Sequence, residues 1–479
     1  MKRWIEVFFF TIFVSKIYSQ DSIQLSTQAL TGLFSKRVGS HLTNNDVFSS
    51  TDTIGGIFQK PFGTVVQAKL SKINNALLTV TRFKEGNITA KILKDSSIYY
   101  EWNNGVFIKK ASPVANYNGE NLISPDLLKL SITIPSNYYS PNLSEHEKDS
   151  IMVANGAICI YYDFDGQTVE GTAWNYNGAI VAAPSIVSTD TAAMDFILNY
   201  GREQYYPFNI IVTRDSTLYF LAQRSRRIRV IFTPTYDWYC GGTTACAGGV
   251  SYVGSLFWAD DTPSWAFDAI NTTRGKAIVG AHEAAHQFGL QHFDTNGFGS
   301  GENGLVPLLN QNSNIYSKNM TLWWKGTNVI NVPQDDAEMI SSYSNLGRRL
   351  SDVGTTFNTA KYLSKDQITY SHIGLKDSDY YKIDVPSTQT ITISITPKSN
   401  GSGSRSPTNA DALLDAAIDL YDNSHTLIAS SNDTSTLNAS LSQSLTAGTY
   451  FIKVRCDREN VNNPSAYGFM GHYWITYTY

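Results

Sequence analysis

A multidomain, β-rich chain is predicted, with a β-containing N-terminal segment, an α+β unit and an all-β C-terminal sandwich. Three observations point there. The chain has 479 residues, which holds about three domains at roughly 150 residues each. Charged residues make up 16%, against roughly 25% in an average globular protein, and aromatics reach 13%. That balance suits turn-rich β structure and argues against coiled coils, long bundles and disorder. The apolar pattern also changes character near residue 150 and again near 350. The net charge of −4 carries no basic domain, so nucleic acid is not expected as a partner.

Residues 1–19 read as a signal peptide. Lys2 and Arg3 form a charged start, Val7 to Val14 a short apolar run, and Ser19 offers a cleavage site before Gln20. The run is too short to span a bilayer. No other stretch qualifies as a membrane span, so the mature chain is expected to be soluble and secreted.

Residues 20–150 alternate apolar and polar positions in runs such as TVVQAKL, LLTVTRF and LLKLSITI, which predicts a β-containing segment. The Pro/Asn/Ser stretch PSNYYSPNLSEHEKDS then reads as a linker. In 151–350, AICIYYDF, FNIIVT and RIRVIFT fit strands, while Ala192 to Tyr200 and Thr272 to Leu290 fit helices. Such alternation suggests an α/β or α+β layer structure. From 351 to 479 the helical period vanishes. Runs such as YYKIDV, TITISIT, AAIDLYD, GTYFIKV and YWITYTY, separated by turns, predict an all-β sandwich.

Four cysteines are too few for a disulfide-held scaffold, so packed cores must carry the stability. Cys240 and Cys246 bracket the Gly-rich loop CGGTTAC, and export favours a local disulfide between them. Cys159 lies in an apolar run and is expected in a core, with no pairing to Cys456 assigned.

The chemistry concentrates in His282-Glu283-Ala284-Ala285-His286-Gln287-Phe288-Gly289-Leu290-Gln291-His292. A pattern H-E-x-x-H-x-x-G-x-x-H would arise by chance in this composition with probability on the order of 10⁻⁵. His282 and His286 stand four apart, so they share one helix face and can chelate a single ion. Gly289 can take a positive φ, ending the helix and turning the chain so that His292 approaches from another side. Three neutral imidazoles suit Zn²⁺ and leave a position for water. Glu283 follows the first ligand and can accept that water's proton as a general base. The other five histidines are given no role.

This segment resembles the metzincin clan of zinc endopeptidases at every defining position of the motif. The resemblance implies His282, His286 and His292 as ligands of one catalytic zinc and Glu283 as general base. A wider likeness, to bacterial-type secreted metzincins with a pre-peptidase C-terminal domain, rests on IYYDFDGQTVEGTAWN (160–175), YYPFNIIVT (205–213), CAGGVSYVGSLF (246–257), WWKGT (323–327) and DDAEMI (335–340). In that pattern Val306-Pro307-Leu308-Leu309 occupies the Met-containing turn beneath the metal, which puts Leu309 where Met is usual. Met339 in EMISSY is the rival for that turn. Asp294 stands two after the third ligand, either anchoring the floor of the site or serving as a loop aspartate. Neither Tyr343 nor Tyr316 has a spacing that marks it as a further ligand. Gly248 to Gly254 reads either as an edge strand that binds extended peptide or as an internal strand.

Asp377-Ser378-Asp379-Tyr380-Tyr381, Ile418-Asp419-Leu420-Tyr421-Asp422 and Ala447-Gly448-Thr449-Tyr450-Phe451 resemble the pre-peptidase C-terminal domain. That resemblance implies a jelly-roll-like β-sandwich serving as an accessory module. Asp377 and Asp379 are either a Ca²⁺ pair, without further support, or solvated turn carboxylates. Residues 20–150 stand where secreted metalloproteases carry a pro-segment, with a permanent accessory domain as the other reading. They contain no cysteine, so thiolate blocking of a metal is excluded there. The expectation is a monomeric, secreted zinc metalloendopeptidase acting on protein or peptide substrates. The competing classes are a non-catalytic binding or adhesion protein and an amidase acting on cell-wall peptides.

Overall fold

The computed structural model of the chain describes residues 22–111, 143–456 and 469–479, apart from short stretches within them, the longest at 295–304, 312–319 and 400–411. The expected signal peptide, Tyr316 and Tyr343 lie outside the described residues.

The N-terminal unit is a seven-stranded antiparallel sheet. Its strands are β1 (Ser22–Gln24), β2 (Ile54–Lys60), β3 (Gly63–Leu70), β4 (Ala76–Phe83), β5 (Ile88–Leu93), β6 (Ile98–Asn103) and β7 (Val106–Ala111). From β2 to β7 each strand pairs with the next in sequence, and β1 closes on β7. Period-two placement puts Val66, Ala68 and Leu70 of β3 and Leu78 and Val80 of β4 inside. They pack with Leu30 and Leu33 of helix α1 (Thr27–Leu33), whose N-cap Ser26 accepts from Ala29 N–H.

The middle unit begins earlier than the expected boundary at 151. The stretch read as a linker is helical from Glu145, in α2 (Glu145–Ala154). The signal for it was local: Ser144 and Glu147 form a capping box, in which the Glu147 carboxylate accepts from Ser144 N–H at 2.7 Å. Five strands follow, β8 (Ile158–Asp163), β11 (Ile210–Thr213), β12 (Arg227–Thr233), β13 (Gly249–Val250) and β14 (Ser264–Phe267). They form one sheet in the order β11-β8-β12-β14-β13, parallel except for the antiparallel edge strand β13. A hairpin, β9 (Gln167–Val169) and β10 (Ile180–Ala182), follows β8.

Helices cover both faces of this sheet, which is why its parallel strands read as unbroken apolar runs. Ile158, Ile160 and Tyr162 of β8 face α3 (Thr191–Tyr205) and α6 (Thr273–His286). Cys159 and Tyr161 face α2 and α4 (Ser216–Leu221) on the other side. Helix α3 runs five residues beyond the expected end at Tyr200, and α6 stops at His286, short of the expected Leu290. Between them lies α5 (Asp237–Cys240), whose Cys240 is joined to Cys246 by the expected disulfide. Cys159 is a free, buried thiol, and Cys456 is buried.

After α6 come two strand pairs, β15 (Leu305–Pro307) with β16 (Met320–Leu322) and β17 (Lys325–Thr327) with β18 (Pro333–Asp335), then α7 (Asp336–Ser342). The C-terminal unit is the expected all-β sandwich. One sheet holds β19 (Lys361–Tyr362), β21 (Ser378–Val385), β26 (Gly448–Cys456), β23 (Ala416–Tyr421) and β24 (Leu427–Ser431) in that order. The other holds β20 (Thr369–Ile373), β27 (Gly471–Thr478), β22 (Gln389–Pro397) and β25 (Ala439–Leu445). On β22 the buried Ile391, Ile393 and Ile395 alternate with more exposed Thr and Ser, the pattern of a half-buried strand.

Asp379 departs from the expectation of a solvated turn carboxylate. It is fully buried and accepts from Ser371 Oγ at 3.1 Å and from the Tyr473 hydroxyl at 2.5 Å. Buried hydroxyl donors on both sides explain why it can sit inside a sandwich. Among the described residues, no helix is long and apolar enough to cross a membrane.

Candidate metal centre

Helix α6 is positioned by burial on nearly every side. From Gly275 to His286 every residue is buried, so the helix runs between the sheet and α3 and not along the surface. Thr272 caps it by accepting from Gly275 N–H at 3.0 Å. Lys276, buried in the second turn, is paired with Asp268 at 3.4 Å. Tyr205 of α3 donates its hydroxyl to Ala281 O at 2.7 Å, tying α3 to the turn that precedes His282.

His282 and His286 project from one face of α6. Gly289, with φ of 90°, then turns the chain and brings His292 back to them. The three Nε2 atoms converge, at 2.9 Å for His282 to His292, 3.1 Å for His282 to His286 and 3.0 Å for His286 to His292. His282 Nδ1 lies 2.7 Å from Leu308 O, and His286 Nδ1 lies 2.7 Å from Leu290 O. Each of these carbonyls can only accept, so the ring proton sits on Nδ1 and the Nε2 lone pair faces the centre. Burial pushes His282 down to about 4, against a smaller opposing effect of the Leu308 carbonyl, so this ring is neutral at pH 7.

Converging lone pairs repel one another unless a cation lies between them. Zn–N bonds of about 2.05 Å in a tetrahedron would set the nitrogens about 3.3 Å apart, close to the observed spacing. The donor set therefore fits a zinc ion. Among the described residues no other His, Cys, Asp or Glu joins the group. A tetrahedral ion held by these three nitrogens would keep its fourth position for another ligand.

The floor beneath the triad is the turn carrying Leu309. Leu308 O receives His282 Nδ1, and Leu309 O accepts from Phe293 N–H at 2.8 Å, one residue past His292. This single turn thus ties the first and third histidines together. Leu309 is fully buried in the same core as α6. Met339, on α7, packs half-buried against that core from another element. Asp294 is exposed. The carbonyl of His292 accepts from Val329 N–H at 2.9 Å.

Glu283 is buried beside the edge strand β13. A Cβ on Gly249 would come within 2.7 Å of Glu283 Cγ and 2.5 Å of Trp265 O, so only glycine lets the strand lie this close. The Glu283 carbonyl accepts from Ser264 Oγ at 3.0 Å, and Ser264 in turn receives Gln287 Nε2 at 2.8 Å. Gly249 fell within the strand read from the sequence but without this contact, and Ser264 and Gln287 were given no role there. Gln334, between the WWKGT and DDAEMI landmarks, was also missed. Gln334 exchanges hydrogen bonds with both backbone groups of Gln291 at 2.9 Å, beside His292, and donates to Asp336 at 2.9 Å. Burial pushes the Asp336 carboxyl up to about 8 despite its hydrogen bonds from Gln334 and Trp324 N–H.

No curated protein matches the chain. Residues 377–455 match the family described as the bacterial pre-peptidase C-terminal domain. Among solved structures, the pre-peptidase C-terminal domain of collagenase from Bacillus anthracis aligns at 16% identity and a TM-score of 0.18, covering 25% of this chain and 93% of that one. The periplasmic lysozyme inhibitor PliG from Aeromonas hydrophila aligns at 14% identity and a TM-score of 0.17, covering 23% and 82%. A family 35 carbohydrate binding module from an environmental isolate aligns at 15% identity and a TM-score of 0.16, covering 27% and 85%. At TM-scores this low the likeness carries nothing about activity. The C-terminal sandwich of this chain contains a bacterial pre-peptidase C-terminal domain.

Proposed function

We propose that the chain is a secreted zinc-dependent endopeptidase of the metzincin type. The observation that carries this reading is the convergence of three Nε2 atoms within 3.1 Å, two of them on buried histidines and the third on half-buried His292, with a buried glutamate directly after the first histidine. The pre-peptidase C-terminal domain, typical of secreted bacterial proteases, fits export. A bound zinc would supply Lewis acidity, polarising a peptide carbonyl and lowering the pKa of water.

The chain's own residues account for the rest. His282, His286 and His292 would hold the ion, with His282 and His286 fixed in one tautomer by the Leu308 and Leu290 carbonyls. Glu283 would take the proton of the attacking water and return it to the leaving amine. Among the described residues strand β13 pairs only with β14, so its other edge can pair with an extended peptide. Gly249 keeps that edge against Glu283, which would bring a paired substrate beside the base.

The test is casein or peptide-library cleavage by the purified, zinc-loaded protein, with Glu283→Ala and chelator-treated samples beside it. Cleavage that both treatments abolish is expected. A protein with one zinc per chain that cleaves nothing, before or after proteolytic removal of the N-terminal unit, would sink the enzyme reading.

A further inference from the structure

The boundary between the C-terminal sandwich and the middle unit is built like an interior. Each unit lends the other a side chain. Met470, just before β27, is buried in the middle core with Trp323 and Ile340. Leu322, at the end of β16, is buried in the sandwich core with Leu414 and Ile475.

Beside this exchange lies a buried carboxylate. Glu203 of α3 accepts from His472 N–H at 2.7 Å, from His472 Nδ1 at 2.8 Å and from Lys398 Nζ at 3.2 Å, all three donors belonging to the sandwich. Burial alone would push this carboxyl up, but His472 and Lys398 outweigh it and hold it below the usual carboxylate range. The Tyr206 ring next to it packs against His472 at 4.0 Å and His372 at 4.6 Å, with Arg349 over it at 4.3 Å. A module on a free tether would leave these groups in water, because a buried charge is tolerated only with its partners in place.

Two short routes lead from this boundary to the first histidine of the triad. Leu322, anchored in the sandwich, offers its carbonyl to Leu308 N–H at 2.8 Å, and Leu308 O holds His282 Nδ1 at 2.7 Å. On the other side Tyr205, two residues after Glu203, holds Ala281 O at 2.7 Å, one residue before His282. Gln204 closes the space between the routes by donating to Thr321 Oγ1 at 2.9 Å.

We propose that the C-terminal sandwich braces the floor of the metal centre from below. Docked on α3 through Glu203 and on β16 through Leu322, it fixes the position of His282 and so sets the triad's affinity for a divalent cation. This rests on the reading that the triad holds zinc. Its consequence is that the sandwich is a permanent part of the working unit and not a removable appendage.

The experiment uses the full chain and zinc itself. Zinc affinity is measured by chelator competition for the wild type, Glu203→Gln, Leu322→Ala and a control, Ile418→Val, in the sandwich core away from the boundary. Groups that orient metal ligands typically contribute about 10–100-fold in affinity, so a loss of at least about tenfold is expected for the first two variants and none for the control. Hydrogen exchange on the unaltered protein supplies the second readout. Zinc is expected to slow exchange both at Leu308 and across the boundary at the His472 amide. Absence of zinc binding by the wild type would overturn the metal reading and this one together. Zinc binding unchanged in both variants, or protection confined to residues 273–309, would overturn this inference alone.

Discussion

Gly249→Ala tests how closely the edge strand must approach the glutamate. The new Cβ would lie 2.7 Å from Glu283 Cγ, 2.7 Å from Val279 Cγ1 and 2.5 Å from Trp265 O, where ordinary contact begins at 3.4 Å. Trp265 O belongs to the paired strand β14 and cannot give way alone, so either β13 lifts or α6 retreats. Overpacking of this kind costs about 1–3 kcal/mol of stability. A misplacement of about 1 Å at reacting groups is worth on the order of 10²-fold in rate. No histidine of the triad is among the three atoms nearest the new methyl. Peptide cleavage should therefore fall about 100-fold while zinc stoichiometry stays at that of the wild type, as read by kcat/KM, metal analysis and urea unfolding. A variant with wild-type kcat/KM, or one that has lost its zinc, would show that the contact with Glu283 does not govern the site.

Leu309→Met nearly conserves volume in a buried turn, so unfolding free energy should change by less than about 1.5 kcal/mol and zinc affinity should hold. A large loss of either would mean that the turn requires the branched side chain. The disulfide between Cys240 and Cys246 spans six residues, so the paired Cys240→Ser and Cys246→Ser substitution should lower stability by about 2 kcal/mol in urea unfolding. No loss would show that the loop is already constrained by its packing. Burial raises the Asp336 carboxyl to about 8 and that of Asp163 to about 7, both from 3.8. The stability tied to their protonated forms is complete below the unfolded value and is lost as pH rises through 7 and 8. Unfolding free energy should thus be lower at pH 9 than at pH 6, and the reverse order would refute the assignment.

What could be read in advance followed the range of the interactions. The triad spans eleven residues on one helix and its exit turn, so spacing alone brings His282, His286 and His292 together. Strands β8, β11 and β12 of the middle sheet were legible because burial on two faces leaves unbroken apolar runs, whereas β14 was not read. Helix α2 was legible in principle, through Ser144 and Glu147, but the Pro/Asn/Ser run before it obscured the capping signal. The rest depends on partners far apart in the chain. Glu203 and His472 are 269 positions apart, and neither carries a local mark of its pairing. The same holds for Gly249, whose requirement for a missing side chain exists only once α6 lies against β13. Two of the five histidines without an assigned role, His372 and His472, belong to that distant packing around Tyr206.

The placement of Met470 also bears on the order in which the molecule can be completed. The N-terminal sheet pairs neighbour with neighbour from β2 to β7, so it can form as soon as its own hairpins exist. The middle core opens with Ile158 on β8 and is not filled until Met470, roughly 300 residues later, has been made. A chain still being synthesised thus carries the three histidines long before it carries the residue that completes the core around their helix. The core around the histidine helix is completed only when nearly the whole chain has been made.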